Sequence, residues 1–274
     1  AALRYLCTGP LCRRAEDLWP LLRVLAGPDG EDPACEAIPL GDPRSVNLSG
    51  MPVLCIESNG DPVSKDLQAA LQRAAAALSA RGARVRHAVV SDLRHSLEIW
   101  AALMNAAGGP SFAELLGEGT PIHAGRQLLA LCLGRSPHTL PALGLALIEK
   151  LPGRLQKRAE QALVLARELR DLLTALIGAE GVLLYPPYVS PAPRHGRALL
   201  LPIHWAYTAL FNVLELPVTQ VPLGLSEDRA HRGLPVGVQV AALHGQDHRT
   251  IAVAQELERA CGGWVPPPSA RGAA

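Results

Sequence analysis

The chain has 274 residues, 49% of them hydrophobic and 19% charged. That much apolar surface offsets the entropy lost on folding and excludes disorder of the bulk, and the length suits one large domain or two small ones at ~100–200 residues each. Lys and Arg number 26 against 25 Asp and Glu, a formal net charge of +1, and no long stretch carries a single sign, so no nucleic-acid partner is expected.

Aromatic residues make up only 4%, which predicts an aliphatic core. Met51 to Ile56 has the length and composition of a strand, and Ser58-Asn59-Gly60-Asp61-Pro62 is a turn-forming cluster. A helix is predicted to start there, with Asp61 accepting from the first-turn amides and Pro62 at the first helical position. Val63, Leu67, Leu71, Ala74 and Leu78 recur at helical spacing until Gly82, a left-handed stop. Val85 to Val90 follows as a second strand. Strand, amphipathic helix and strand in this order predict a βαβ unit with parallel strands.

From Asp92 to Gly178 the pattern is helical, with segments at Leu93–Ala107, Ser111–Leu116, Arg126–Cys132 and Leu140–Lys150. The longest predicted helix spans Arg154–Ile177, with Leu155, Ala159, Ala162, Ala166, Leu169, Leu173 and Leu176 on one face and a charged, solvated opposite face. Val182 to Tyr185 reads as a strand, and Pro186 to Gly196 is a proline-dense loop of the kind that assembles sites at strand ends. Two more strands are predicted at Val218–Pro222 and Val236–Ala241. Asp247 is read as the cap of a last helix whose inner face carries Ile251, Ala254, Leu257 and Cys261. The tail 266–274 is expected to be disordered.

Six cysteines, Cys7, Cys12, Cys35, Cys55, Cys132 and Cys261, show no metal-ligand spacing and read as buried thiols in a reducing compartment. His244 and His248 are separated by Gly245 and Asp247, which argues against a metal pair. The apolar run Ala198–Leu214 is broken by Pro202 and His204 and reads as buried rather than membrane-spanning. Ala1 to Tyr5 carries no targeting signature. The sequence lacks a Gly-x-Ser-x-Gly elbow, a His-Glu-x-x-His helix, a phosphate loop and a dinucleotide fingerprint. A Ser–Lys device needs a desolvated lysine, and Lys65, Lys150 and Lys157 all sit in charged or surface contexts.

Two end segments carry a resemblance. Thr8-Gly9-Pro10 through Leu18, continuing to Leu25-Ala26-Gly27-Pro28-Asp29-Gly30, resembles the stretch that follows the core of the amidase signature family. Gly233-Leu234-Pro235-Val236-Gly237-Val238-Gln239-Val240, with Asp247 and its helix, resembles that family's C-terminal strand and helix. Cys132-Leu133-Gly134, Leu184-Tyr185-Pro186, Ala206-Tyr207-Thr208, Leu216 to Leu225 and Gly262-Gly263-Trp264-Val265 are similar to the branch that acts on fatty-acid amides. The resemblance covers nearly the whole chain.

It implies an α/β fold, a layered α/β/α domain with a mixed central sheet, represented by its C-terminal half over 1–265. An interrupted sheet of that kind is expected to expose strand edges that invite aggregation. The implied reaction is amide hydrolysis through an acyl-enzyme, with a Ser nucleophile, a second Ser and a Lys base, and without metal or organic cofactor. All three catalytic residues belong upstream of Thr8, so this chain is expected to hold no catalytic residue and to be inactive alone. Its expected share is substrate binding: Trp205, Tyr207, Leu210, Phe211 and Val213 as apolar wall and Thr208 near the carbonyl end, set against plain core packing of the same residues. The apolar stretch 128–151 is the candidate for peripheral membrane contact, with exchange of Leu143 and Leu147 for Glu as its test. The expected partners are a fatty-acid amide or lipid, with self-association left open. The expected location is intracellular and membrane-associated. The alternative is a lipid-binding pseudoenzyme without chemistry.

Overall fold

The apolar run at Met51 is long enough to be buried on both faces, and Pro52–Cys55 forms an interior strand, β1. The computed structural model describes residues 5, 8–31, 35–108, 111–148, 154–196 and 206–266. On one side of β1 lies β2 (Arg84–His87), parallel, with Pro52 opposite Arg84. On the other lies β3 (Val182–Tyr185), also parallel, with Val53 opposite Val182. Two further strands, β4 (Val218–Leu225) and β5 (Pro235–Ala241), run antiparallel to each other, and β5 pairs antiparallel with β3. The order is β2-β1-β3-β5-β4, a mixed sheet with the predicted parallel unit at one end.

Helices cover both faces, so the domain is the expected α/β/α sandwich. Helices α2 (Lys65–Ala80) and α9 (Asp247–Cys261) pack together on β5 and β4, and α1 (Leu18–Leu25) lies on α9. The second layer is α3 (Ser96–Ala106), α7 (Arg154–Ile177) and α8 (Ala206–Leu214), with α7 on β1. Ala162, Ala166, Leu169 and Leu173 of the predicted α7 stripe are buried, but at its end Ile177 is buried and the expected Leu176 is only half-buried. Each such leucine contributes about 1.5–3 kcal/mol of transfer free energy. A satellite of α4 (Phe112–Leu116), α5 (Ala124–Cys132) and α6 (Leu140–Ile148) has a small core of Ala113, Ala124 and Ala146. The N-terminal stretch is clasped to α9: the Arg14 guanidinium and the Ala15 N–H donate to opposite oxygens of Glu258, at 3.2 and 2.5 Å.

Several expectations are revised. Helix α2 begins at Lys65, not Asp61, because the Asp61 N–H donates to Asn59 Oδ1 at 3.0 Å and the Ser64 N–H to Val189 O at 2.7 Å. Residues 59–64 therefore run across to the proline-dense loop before the helix can start. Its end is as predicted, at Gly82 with φ +86°. Strand β2 stops at His87, and β4 continues past Pro222 through an irregularity to Leu225. Asp247 is the first helical residue of α9 rather than its cap, which is Gln246. Of the described cysteines, all free, only Cys55 is buried; Cys132 is exposed at the outer end of α5. Burial pushes the Cys55 thiol up to about 12, with the Glu57 carboxylate acting the same way. Residues 267–274 of the expected disordered tail lie outside the described residues. No helix among the described residues is long and apolar enough to cross a membrane.

Candidate functional site

In a sheet with parallel strands, side chains and loops at the carboxyl ends converge on one rim. Here that rim is built by the segment after β1, the proline-dense loop after β3, and α8. Tyr185 is the last residue of β3 and is fully buried. Its ring stacks on Tyr207 of α8, with centroids 5.3 Å apart, and meets Phe211 edge-on at 5.5 Å. Positions 207 and 211 are one helical turn apart, which brings both rings to the same face of α8. Offset and edge-on contacts of this kind add about 0.5–1.5 kcal/mol beyond area burial.

Polar groups fix this aromatic cluster from two sides. The Tyr207 hydroxyl donates to Asn59 Oδ1 at 2.7 Å, and the Asn59 N–H donates back to the hydroxyl at 3.3 Å. Gln239 of β5, opposite Tyr185 in the ladder, donates its amide to Pro186 O at 3.0 Å and to Tyr207 O at 3.1 Å. Three elements are thus tied by buried hydrogen bonds. The Tyr185 hydroxyl is buried with no hydrogen-bond partner among the described residues. Burial pushes its phenol well above the usual range, with Tyr207 and the Asp61 carboxylate adding to the effect. Burial also pushes Tyr207 up to about 12, against the donating Asn59 N–H and assisted by Asp61.

The sign of the Tyr207 effect is fixed. Its neutral phenol stabilises the fold fully below ~pH 10, where unfolded tyrosine keeps its proton, and that stability is lost as pH rises towards about 12. Alkaline titration followed at the tyrosinate absorbance should show Tyr207 ionising only with unfolding, and Tyr207→Phe should flatten the loss. A Tyr207 that ionises at ~pH 10 in the folded chain would contradict its burial.

The predicted site residues are placed as follows. Tyr207, Leu210, Phe211 and Val213 are all buried in the main core, and Thr208, the next residue after Tyr207 on α8, is exposed. Trp205 lies outside the described residues. A cavity of about 300 Å³ opens nearby, between the proline-dense loop and the β4–β5 pair, lined by Leu67, Pro187, Ser190, Gln220, Pro235 and Val236 among others. A Cβ at Gly237 would stand 2.4 Å from Val221 O, so only glycine permits the strand approach on this wall. Lys65 is exposed in the first turn of α2. His244 Nδ1 lies 3.1 Å from Glu215 O, while His248 packs on Gly41, so the two do not form a pair. What the sequence did not disclose was Asn59, Gln239 and Tyr185 as partners of α8; they are distant in the chain and carry no spacing signal.

The sequence profile of the family described as Amidase matches residues 1–251. Fatty-acid amide hydrolase 2 of Homo sapiens is 37% identical over 275 residues, covering 96% of this chain and 50% of that protein. Fatty-acid amide hydrolase 2-B of Danio rerio is 39% identical over 274 residues, with coverages of 96% and 50%. Among solved structures, 6-aminohexanoate cyclic dimer hydrolase complexed with substrate matches with a TM-score of 0.67 at 23% identity, over 94% of this chain and 55% of that one. At that identity the likeness shows the fold alone. The chain spans about half the length of the curated relatives it matches.

Proposed function

The chain belongs to the Amidase family, and from that premise we propose that it is the C-terminal part of a hydrolase acting on fatty-acid amides. The observation that carries the proposal is the match of 96% of this chain to Fatty-acid amide hydrolase 2 of Homo sapiens. In this reading residues 1–265 are one part of a single amidase domain, and the Ser, second Ser and Lys of the acyl-transfer device lie upstream of Thr8. The chain's own contribution is the substrate wall. Tyr207, Leu210, Phe211 and Val213 form its rigid apolar backing, exposed Thr208 meets the carbonyl end of the amide, and Trp205 is assigned to the wall by the resemblance alone. The buried Tyr207–Asn59 pair holds α8 against the strand rim. Holding a reacting bond to within an ångström is the contribution such positioning makes to rate.

The proposal extends to location. Leu129 on α5, Leu133 just past its end and Leu140 on α6 are exposed, and we assign this part of 128–151 to peripheral contact with an intracellular membrane, from which a lipid amide would enter.

Incubation of the purified chain with oleamide tests the reading. Binding without hydrolysis is expected, and a fluorophosphonate probe should label no serine. Turnover by the chain alone would overturn the placement of the nucleophile, and absence of oleamide binding would overturn the substrate wall.

A further inference from the structure

Away from the aromatic rim, the connection between β4 and β5 folds back over the start of α2. It is closed by Ser226 N–H donating to Leu234 O at 2.8 Å and Gly233 N–H donating to Ser226 O at 2.9 Å. Within it the His231 N–H donates to Asp228 O at 3.1 Å, which sets Asp228 and His231 side by side on one turn. Asp66, in the first turn of α2, reaches in from the other side. Its Oδ2 lies 2.9 Å from His231 Nδ1, and its Oδ1 accepts from the Ser226 hydroxyl at 2.8 Å. One ligating atom from each of Asp66, Asp228 and His231 lies within 4.8 Å of the others. The Asp66 side chain is 8% exposed and that of His231 30%.

We propose that Asp66, Asp228 and His231 form a binding site for a divalent transition-metal ion, with Zn²⁺ the best match. An imidazole with two carboxylates selects against Mg²⁺ and Ca²⁺, which take all-oxygen sets, and suits zinc and its neighbours. Three protein ligands leave a fourth position for water. Ligand atoms of a tetrahedral zinc at ~2.0–2.2 Å stand about 3.3–3.6 Å apart, so a bound ion would replace the 2.9 Å Asp66–His231 hydrogen bond and part that pair slightly, while the exposed Asp228 carboxylate adjusts to it from within 4.8 Å. The outer contacts that orient a metal site are present: the Ser226 hydroxyl on Asp66, and the Ala230 N–H on Asp228 Oδ1 at 2.8 Å. No spacing in the chain announces the trio, because Asp66 and His231 are 165 positions apart. A bound ion would cross-link α2 to the β4–β5 connection beside Leu67 and Pro235 of the cavity wall. Such a site is independent of amide chemistry.

Titration of the purified chain with ZnCl₂, read by calorimetry and by thermal unfolding, tests it. One saturable site is expected, with the unfolding temperature rising by several degrees at saturation. His231→Ala and Asp228→Asn should each weaken binding at least tenfold, and Asp228→Asn should leave the metal-free unfolding temperature near that of the parent. Absence of a saturable site overturns the proposal. So does undiminished affinity in both variants, which would assign the ion to other histidines or cysteines of the chain.

Discussion

Phe211→Ala is expected to lower the unfolding free energy by about 3–5 kcal/mol, the cost of removing a large aromatic side chain from a packed interior. The ring is 2% exposed and sits edge-on to Tyr185 in the main core. Its removal leaves a void between α8 and β3, bounded by groups that cannot collapse into it. Tyr185 is fixed in the ladder opposite Gln239, and Tyr207 is held by Asn59. Urea unfolding measures the loss as a shifted midpoint at unchanged slope. Phe211→Leu keeps much of the volume and should lose only part of it. Oleamide affinity measured on Phe211→Leu then separates the two roles of the residue, since a channel wall alters binding where pure core alters only stability. A loss of less than ~1 kcal/mol in Phe211→Ala would place the ring outside the core.

The second large effect concerns the α4–α6 satellite. Leu143 is fully buried, whereas Leu129 and Leu133 are 70% and 71% exposed. Leu143→Glu drives a carboxylate into an apolar environment at a cost of several kcal/mol and should abolish the fold of the satellite, visible as lost helical ellipticity. Leu143 and Leu147 are therefore the wrong pair for a membrane test, because the first change cannot be separated from unfolding. Leu129→Glu and Leu133→Glu should each stay within about 0.5 kcal/mol of the parent, yet together release the chain from liposomes in co-sedimentation. Failure of the parent chain to sediment with liposomes, or retention of the double variant, would sink the membrane assignment.

Helices were legible in the sequence wherever one face meets the core and the other meets water. α7 is the clearest case, its boundaries and its buried stripe both following from the spacing of Ala162, Ala166, Leu169 and Leu173. The strands were legible as short apolar runs, except that the exposed β2 ends at His87, ahead of the apolar Ala88-Val89-Val90 that extends the sequence reading to Val90. The start of α2 lies later than the capping signals at Asp61 and Pro62 place it, because the Asn59 side chain and the distant Val189 carbonyl take the backbone N–H groups of Asp61 and Ser64. The aromatic rim was half legible. Composition and resemblance singled out Phe211 and Tyr207, but their fixation by Asn59, Gln239 and Tyr185 is a product of the fold. The same holds for Asp66 and His231, which no periodicity connects.

The order of the strands bears on how the protein emerges from the ribosome. The last of the described strands in chain order, β5, lies between β3 and β4, so the nascent chain carries a three-stranded parallel fragment and an orphan strand until β5 is inserted between them. Helix α9, made after every strand, also carries the Glu258 carboxylate that grips Arg14 and Ala15. A chain interrupted ahead of Pro235 leaves one margin of β3 and one of β4 unpaired in addition to the outer margins of the sheet, a substrate for chaperones and proteases.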